Sequence, residues 1–318
     1  MGQMKYVVSV KHVYGICSLY EVDRLLKELG AEILEVVNAR KIVFDAEYHV
    51  EHIAERLYSS ASAEALYRYF GDLSTLYSVE EGIRLDFEGI EPPVKKSIIS
   101  KLRERGVFLR EEGPLYLVLG TRNGVDVYRA LVEYRRDRFK PRSPEKRVFF
   151  LSSALNPLSA LLLINLSLTP HGYRLLDPFS GTGSILIEGA LAGLYTVGVE
   201  IDYRQVRGAL RNIRQFGLQG HVDLVLADSM YAPFRDGCFD AVATDPPYGR
   251  YASTRKRPVE EVYRGLLELS SRVIGRGKAA FFAPQWVEIP RSDQLEEVCS
   301  IYIHSDLTRR LWVYHVDS

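Results

Sequence analysis

LLDPFSGTGSILIEGA, Leu175–Ala190, reads as a buried strand, a glycine-rich turn and a helix. The strand ends on an acid, Asp177. Gly181 and Gly183 then open the helix, so a ligand can press against bare backbone and against unpaired amide N–H groups. A third glycine would complete the dinucleotide fingerprint, but Leu186 holds that place and no Walker lysine follows.

Working outward, strand and helix alternate. NPLSALLLINLSL, from Asn156, is a buried helix, and YRLLD is the strand ending at Asp177. SILIEGALAGL (helix), YTVGVEID (strand), YRQVRGALRNIRQFG (helix) and HVDLVLAD (strand) follow. DAVATD is a fourth strand, VEEVYRGLLELSSRVI a helix and KAAFFAP a fifth strand. SIYIHS and RRLWVYHV form a hairpin that sets an antiparallel strand beside the last parallel one. This order predicts an α/β fold with a doubly wound, mostly parallel sheet.

Upstream the pattern differs. Residues 1 to 134 read as two small α+β units, with HVEHIAERLYSSASAEALYRYF taken as helix and the pair Asn123-Gly124 as a hairpin turn. RRDRFKPRSPEKR, Arg135–Arg147, has seven basic and two acidic residues and no apolar periodicity. It reads as a solvated linker with phosphate contact.

Lys+Arg and Asp+Glu are both 41 in 318 residues, so the global charge neither favours nor excludes nucleic acid. Cys17, Cys238 and Cys299 lie far apart, without a CxxC pair. That spacing argues against zinc and against a disulfide framework, and points to a reducing cytoplasm. His49 and His52 have no third ligand nearby, so no metal is expected. No apolar run has the length of a membrane helix, and the N-terminus lacks a signal-peptide pattern.

The acids at the strand ends carry the chemistry. A carboxylate at Asp177 disfavours a pyrophosphate and favours a positive amino group, such as the methionine end of S-adenosylmethionine. Glu200 ends the next strand, where an acid accepts from both ribose hydroxyls, whereas Asp202 caps the following helix. Asp228 ends the third strand and can accept from an adenine amine. Phe179, Ile201 and Ser229 flank these acids.

TDPPYGRYAST, Thr244–Thr254, follows the fourth strand. An exocyclic amine is a poor nucleophile because its lone pair spreads into the ring. Asp245 and the Pro246 carbonyl can accept its N–H bonds, and Tyr248 can stack on the base. An ionised carboxylate accepts both donors of the guanine pairing edge, although adenine enzymes of this type also use Asp.

DPPY resembles the [D/N]PP[Y/F] acceptor loop of amino-methyltransferases. With FKPRSPEKRVFFLSSALNPLSALLLINL, DPFSGTGSILIEGA, VGVEID and LVLADS, the chain resembles the archaeal tRNA (guanine(10)-N2)-dimethyltransferases. The resemblance implies a ferredoxin-like domain at 1–52, a THUMP RNA-binding domain at 53–134, a basic linker at 135–149 and a Rossmann-like class I methyltransferase domain at 150–318. It implies S-adenosylmethionine as cofactor and tRNA as partner of a cytoplasmic monomer. Asp177, Gly181, Gly183, Glu200 and Asp228 match cofactor contacts, and Asp245, Pro246 and Tyr248 the acceptor site. Arg135, Arg136, Arg138, Lys140, Arg142, Arg250 and Arg255 are the expected RNA contacts. The rival readings are methylation of an rRNA guanine or a DNA adenine, and a non-catalytic tRNA-binding protein.

Overall fold

The structure, a computed structural model, describes residues 5–11, 13–37, 39–46, 50–58, 60–121, 124–168, 173–249, 257–290 and 292–317. The chain divides into two compact units. The first comprises Met1–Val13, Val22–Tyr58 and Ser62–Arg135, and the second Tyr14–Glu21, Ser59–Ala61 and Arg136–Ser318.

The first unit holds β1 (Lys5–Val10), most of α1 (Ile16–Glu28), β2 (Glu32–Val37), β3 (Lys41–Asp45), α2 (Val50–Tyr58) and β4 (Ala63–Asp72). β5 (Arg84–Glu88), α3 (Pro92–Glu104), β6 (Leu115–Thr121) and β7 (Gly124–Glu133) follow. One seven-stranded sheet runs β2-β3-β1-β4-β7-β6-β5. Its pairs are antiparallel except β5 with β6.

Strands β1 to β4 with α1 and α2 have the split βαββαβ arrangement of a ferredoxin-like unit. β4 completes it, so it closes at Asp72. The expected boundary after residue 52 falls inside α2. The expected helix over ALYRYF is therefore corrected to a strand. β4 is an inner strand with Leu66 and Tyr67 both buried, so its pattern lacks the alternation that marks a half-buried strand. Asn38, His49 and Asn123 lie outside the described residues.

The second unit opens with two short 3₁₀ turns, Arg136–Arg142 and Pro144–Lys146. It continues with α4 (Pro157–Ser167), β8 (Arg174–Asp177), α5 (Ser184–Leu191), β9 (Tyr195–Glu200), α6 (Tyr203–Gln215), β10 (Val222–Leu226) and β11 (Phe239–Thr244). α7 (Val259–Val273), β12 (Ile274–Pro284), β13 (Leu295–His304) and β14 (Leu307–Val316) complete it. The sheet order is β10-β9-β8-β11-β12-β14-β13, parallel through β12, with β14 inserted antiparallel between β12 and β13. The order reverses between β8 and β11, so the crevice outside their C-terminal ends is the ligand position of such sheets. α4 shows why NPLSALLLINLS needed no polar face. Asn156 caps it, accepting from the Ser159 N–H at 2.9 Å, and every residue from Ser159 to Ser167 is buried.

Two expectations fail here. The basic segment is not solvated throughout: Phe139 is buried, the Arg142 guanidinium grips Glu188 with two 2.8 Å bonds, and Arg147 is buried against Ser184. Cys17 and Cys299 form a disulfide across 282 positions, with Cα atoms 5.6 Å apart. Proximity in the fold, which sequence spacing does not carry, pairs them. Disulfides persist in oxidising compartments and also inside hyperthermophilic cells, so the cysteines assign no compartment. Among the described residues no helix is long and apolar enough to cross a membrane.

Candidate active site

The site is built at the C-terminal strand ends. Asp177, the last residue of β8, is 2% exposed. Its Oδ1 accepts from the Thr244 hydroxyl at 2.6 Å and from the Phe179 N–H at 3.2 Å. Thr244 ends β11, so this bond ties the two strands at the reversal point. Burial drives the Asp177 carboxyl up to about 7, against those two hydrogen bonds and with help from the charges of Asp245 and Glu200.

The turn after β8 folds back onto β9. Ser180 donates from its N–H to the Val199 carbonyl at 3.0 Å, and Gly181 from its N–H to Glu200 Oε2 at 2.9 Å. Gly181 and Gly183 have φ of +52° and +85°, the left-handed region that a side chain disfavours. Glu200 Oε1 also accepts from the Asp202 N–H at 2.8 Å, and burial raises the Glu200 carboxyl. Asp202 caps α6 as expected, accepting from the Arg204 and Gln205 N–H groups.

Asp245 leads the loop after β11. Its Oδ1 accepts from the Tyr248 hydroxyl, and its Oδ2 lies 3.4 Å from an Arg309 nitrogen. The Arg309 guanidinium sits over the Tyr248 ring, 5.6 Å from its centroid. Burial raises the Tyr248 hydroxyl well above its ordinary value.

A cavity of about 740 Å³ collects these groups. Asp177, Phe179, Gly181, Glu200 and Ile201 line it, as do Asp245, Pro246, Tyr248 and Arg309. The volume lies in the range of small-molecule sites. A second cavity of about 60 Å³ adjoins it through Phe179, Glu200, Ile201 and Pro247, and adds Asp228, Ser229 and Arg257. Asp228 accepts from the Met230 N–H at 3.1 Å and from two Arg257 nitrogens at 3.1 and 2.6 Å.

Residues 144–297 match the UPF0020 family, described as an RMKL-like methyltransferase domain. A relative from Methanothermococcus thermolithotrophicus, named a probable tRNA (guanine(10)-N2)-dimethyltransferase, is 33% identical over 161 residues, which are 49% of this chain and 96% of the relative. The chain belongs to the tRNA (guanine(10)-N2)-dimethyltransferase family. A second member, from Methanothermobacter thermautotrophicus, is 35% identical over 186 residues, 57% of this chain and 55% of the relative. The chain thus spans about half the length of the first curated relatives it matches. The crystal structure of a possible methylase from Clostridium difficile 630 aligns over 100% of this chain and 99% of its own, with a TM-score of 0.55 at 15% identity. That likeness speaks for the fold alone, a doubly wound, mostly parallel sheet together with a smaller α+β unit.

Within this dimethyltransferase family member, the cavities bring together all but one of the expected cofactor and acceptor residues. The exception is Gly183, which caps α5 and packs toward Ala209 instead of lining the cavity. The expected RNA contacts are scattered. Arg135 and Lys140 are exposed. Arg136 donates to the Ala61 carbonyl, Arg138 and Arg142 lie over the Phe139 ring, and Arg142 is committed to Glu188. Arg250 and Arg255 lie outside the described residues. The sequence reading missed Thr244 as a partner of Asp177, Arg257 as a partner of Asp228, and Arg309. The one signal for Arg309 was a pair of arginines inside the otherwise apolar strand LTRRLWVYHV.

Proposed function

We propose that this chain transfers methyl groups from S-adenosylmethionine to the exocyclic 2-amino group of a guanine in tRNA, at position 10, once or twice. The observation that carries this reading is a single cavity lined both by Glu200 and Asp177 and by Asp245, Pro246 and Tyr248.

The residues fit the cofactor. Glu200 accepts from the Gly181, Asp202 and Ile201 N–H groups, and its carboxylate keeps acceptor capacity for a ribose hydroxyl. Asp177 is a buried acid suited to an ammonium group. Phe179 and Ile201 offer apolar surface to an adenine, and Asp228 must share its carboxylate between the adenine amine and Arg257. When bound, S-adenosylmethionine supplies an electrophilic methyl on a sulfonium.

Asp245 and the Pro246 carbonyl accept the two N–H bonds of the guanine amine and bias its lone pair toward the methyl. Placement and matched electrostatics supply most of the acceleration, and Asp245 takes the proton afterwards. Tyr248 offers its ring to the base and its hydroxyl to Asp245. After one transfer the nitrogen still has a proton and a lone pair, so the chemistry permits a second.

A paired guanine must leave its stack to reach this loop, at a cost of a few kcal/mol. The residues around β5 to β7, in the THUMP position of the family, grip the tRNA by shape and phosphates. Arg135 and Lys140 add phosphate contacts, with Arg250 and Arg255 after the acceptor loop. The enzyme works as a cytoplasmic monomer. Mass spectrometry of nucleosides from unmodified tRNA, incubated with protein and cofactor, tests the reading. N2-methyl- and N2,N2-dimethylguanosine are expected. Methylated adenine in a parallel DNA reaction, or transfer to no nucleic acid, would overturn it.

A further inference from the structure

Four carboxylates and one guanidinium are among the groups lining the larger cavity: Asp177, Glu200, Asp202, Asp245 and Arg309. Arg309 comes from β14, an inner strand, where the register sets it opposite Pro284 of β12. A cation in that place needs a partner. Its side chain is 16% exposed, as is that of Asp245, and the two are 3.4 Å apart. The same guanidinium lies over the rings of Tyr248 and Phe282, at 5.6 and 5.5 Å. Its Nε has no hydrogen-bond partner among the described residues.

We infer that Arg309 is a positioning residue for the acceptor carboxylate. The terminal torsion of an aspartate is broad and roughly two-fold, so a carboxylate held at one oxygen can still swing. Here both oxygens are held, Oδ1 by the Tyr248 hydroxyl and Oδ2 by Arg309. Each oxygen keeps a lone pair for an incoming N–H. The guanidinium also packs on the ring of the residue that holds the other oxygen, so one side chain fixes both ends of the clamp. Its charge opposes the three other acids around the cavity. The inference rests on the amine-methylation reading above.

The test compares Arg309→Met, Arg309→Lys, Asp245→Asn and the double variant Asp245→Asn/Arg309→Met in the full chain. Arg309→Met should lower kcat roughly 10- to 100-fold, with KM for tRNA and the calorimetric Kd for S-adenosylmethionine within about threefold of wild type. Arg309→Lys should recover part of kcat, because it restores the charge without the planar fork. The double variant should be little worse than Asp245→Asn. Wild-type kcat in Arg309→Met, equal losses in the Lys and Met variants, or fully additive losses would overturn the inference. If the wild type leaves tRNA unmethylated, the guanine reading falls separately. The coupling is then read from urea unfolding of the same four proteins. Non-additive stabilities support the clamp and additive ones overturn it.

Discussion

The backbone N–H of Gly181 donates to Glu200 Oε2, binding the turn after β8 to the end of β9. One carboxylate therefore shapes the turn and faces the cavity. Glu200→Ala should weaken S-adenosylmethionine binding by one to two orders of magnitude, about 1.5–3 kcal/mol for the missing hydrogen bonds to a charged group. Glu200→Gln should fall between, since an amide offers one acceptor oxygen instead of two. Isothermal calorimetry decides, and an unchanged Kd in Glu200→Ala would remove the residue from the cofactor site.

Asp177 makes a pH prediction with a definite sign. Its folded pKa of about 7 lies above the ordinary 3.8, so between these values the folded protein holds a proton that the unfolded chain has released. The group's contribution to stability is fully present below about pH 4 and is lost as pH rises through 7, by up to ~4 kcal/mol. Asp177→Asn should flatten that slope in urea unfolding. An ammonium bound at Asp177 favours the ionised form, so affinity for S-adenosylmethionine should rise from pH 6 to about 7 with release of a proton, until the ligand's own α-ammonium begins to deprotonate near pH 8. Calorimetry in buffers of different ionisation enthalpy reads this directly, and pH-independent affinity would count against the ammonium contact.

Much of this site was legible because doubly wound sheets send all their parallel strands to one edge. Asp177, Glu200, Asp228 and Asp245 each end a strand in the sequence, and each reaches one of two adjoining cavities. Arg309 was not legible in the same way. It arrives on β14; an antiparallel strand beside the last parallel one was expected, but the register that sets Arg309 opposite Pro284 leaves no trace in periodicity. β4 was misread for a related reason: an inner strand covered on both faces loses the alternation that distinguishes it from a helix. In the basic segment, charge density suggested solvent, but the ion pair with Glu188 depends on a glutamate 46 positions away.

The disulfide carries its own test. Cys17 and Cys299 both belong to the second unit, and both are buried. Cross-linking positions 282 apart restricts the unfolded chain, worth about 5–6 kcal/mol in the chain-entropy account. Cys299→Ser should lower the thermal midpoint by several degrees, with Kd for S-adenosylmethionine unchanged. Neither cysteine lines the cavities. A midpoint equal to wild type, with the wild type shown oxidised on a non-reducing gel, would mean that the cross-link adds no stability.

The arginines of the basic segment should separate into two kinds. Glu188 is 1% exposed and its two oxygens take both Arg142 bonds. Removing one partner of a buried pair leaves an uncompensated charge and typically costs about 3–5 kcal/mol. Arg142→Ala should therefore lower stability markedly, while tRNA affinity measured on the folded fraction stays close to wild type. Arg135 and Lys140 are exposed, as the proposed phosphate contacts require. The double variant Arg135→Ala/Lys140→Ala should leave the unfolding midpoint nearly unchanged and weaken tRNA binding. It should also reduce the slope of log K against log salt by about one to two, because each phosphate left without its cation keeps its counterion. A salt slope that falls in Arg142→Ala and not in the double variant would reverse this assignment. The ion pair with Glu188 would then be one that opens to meet the RNA.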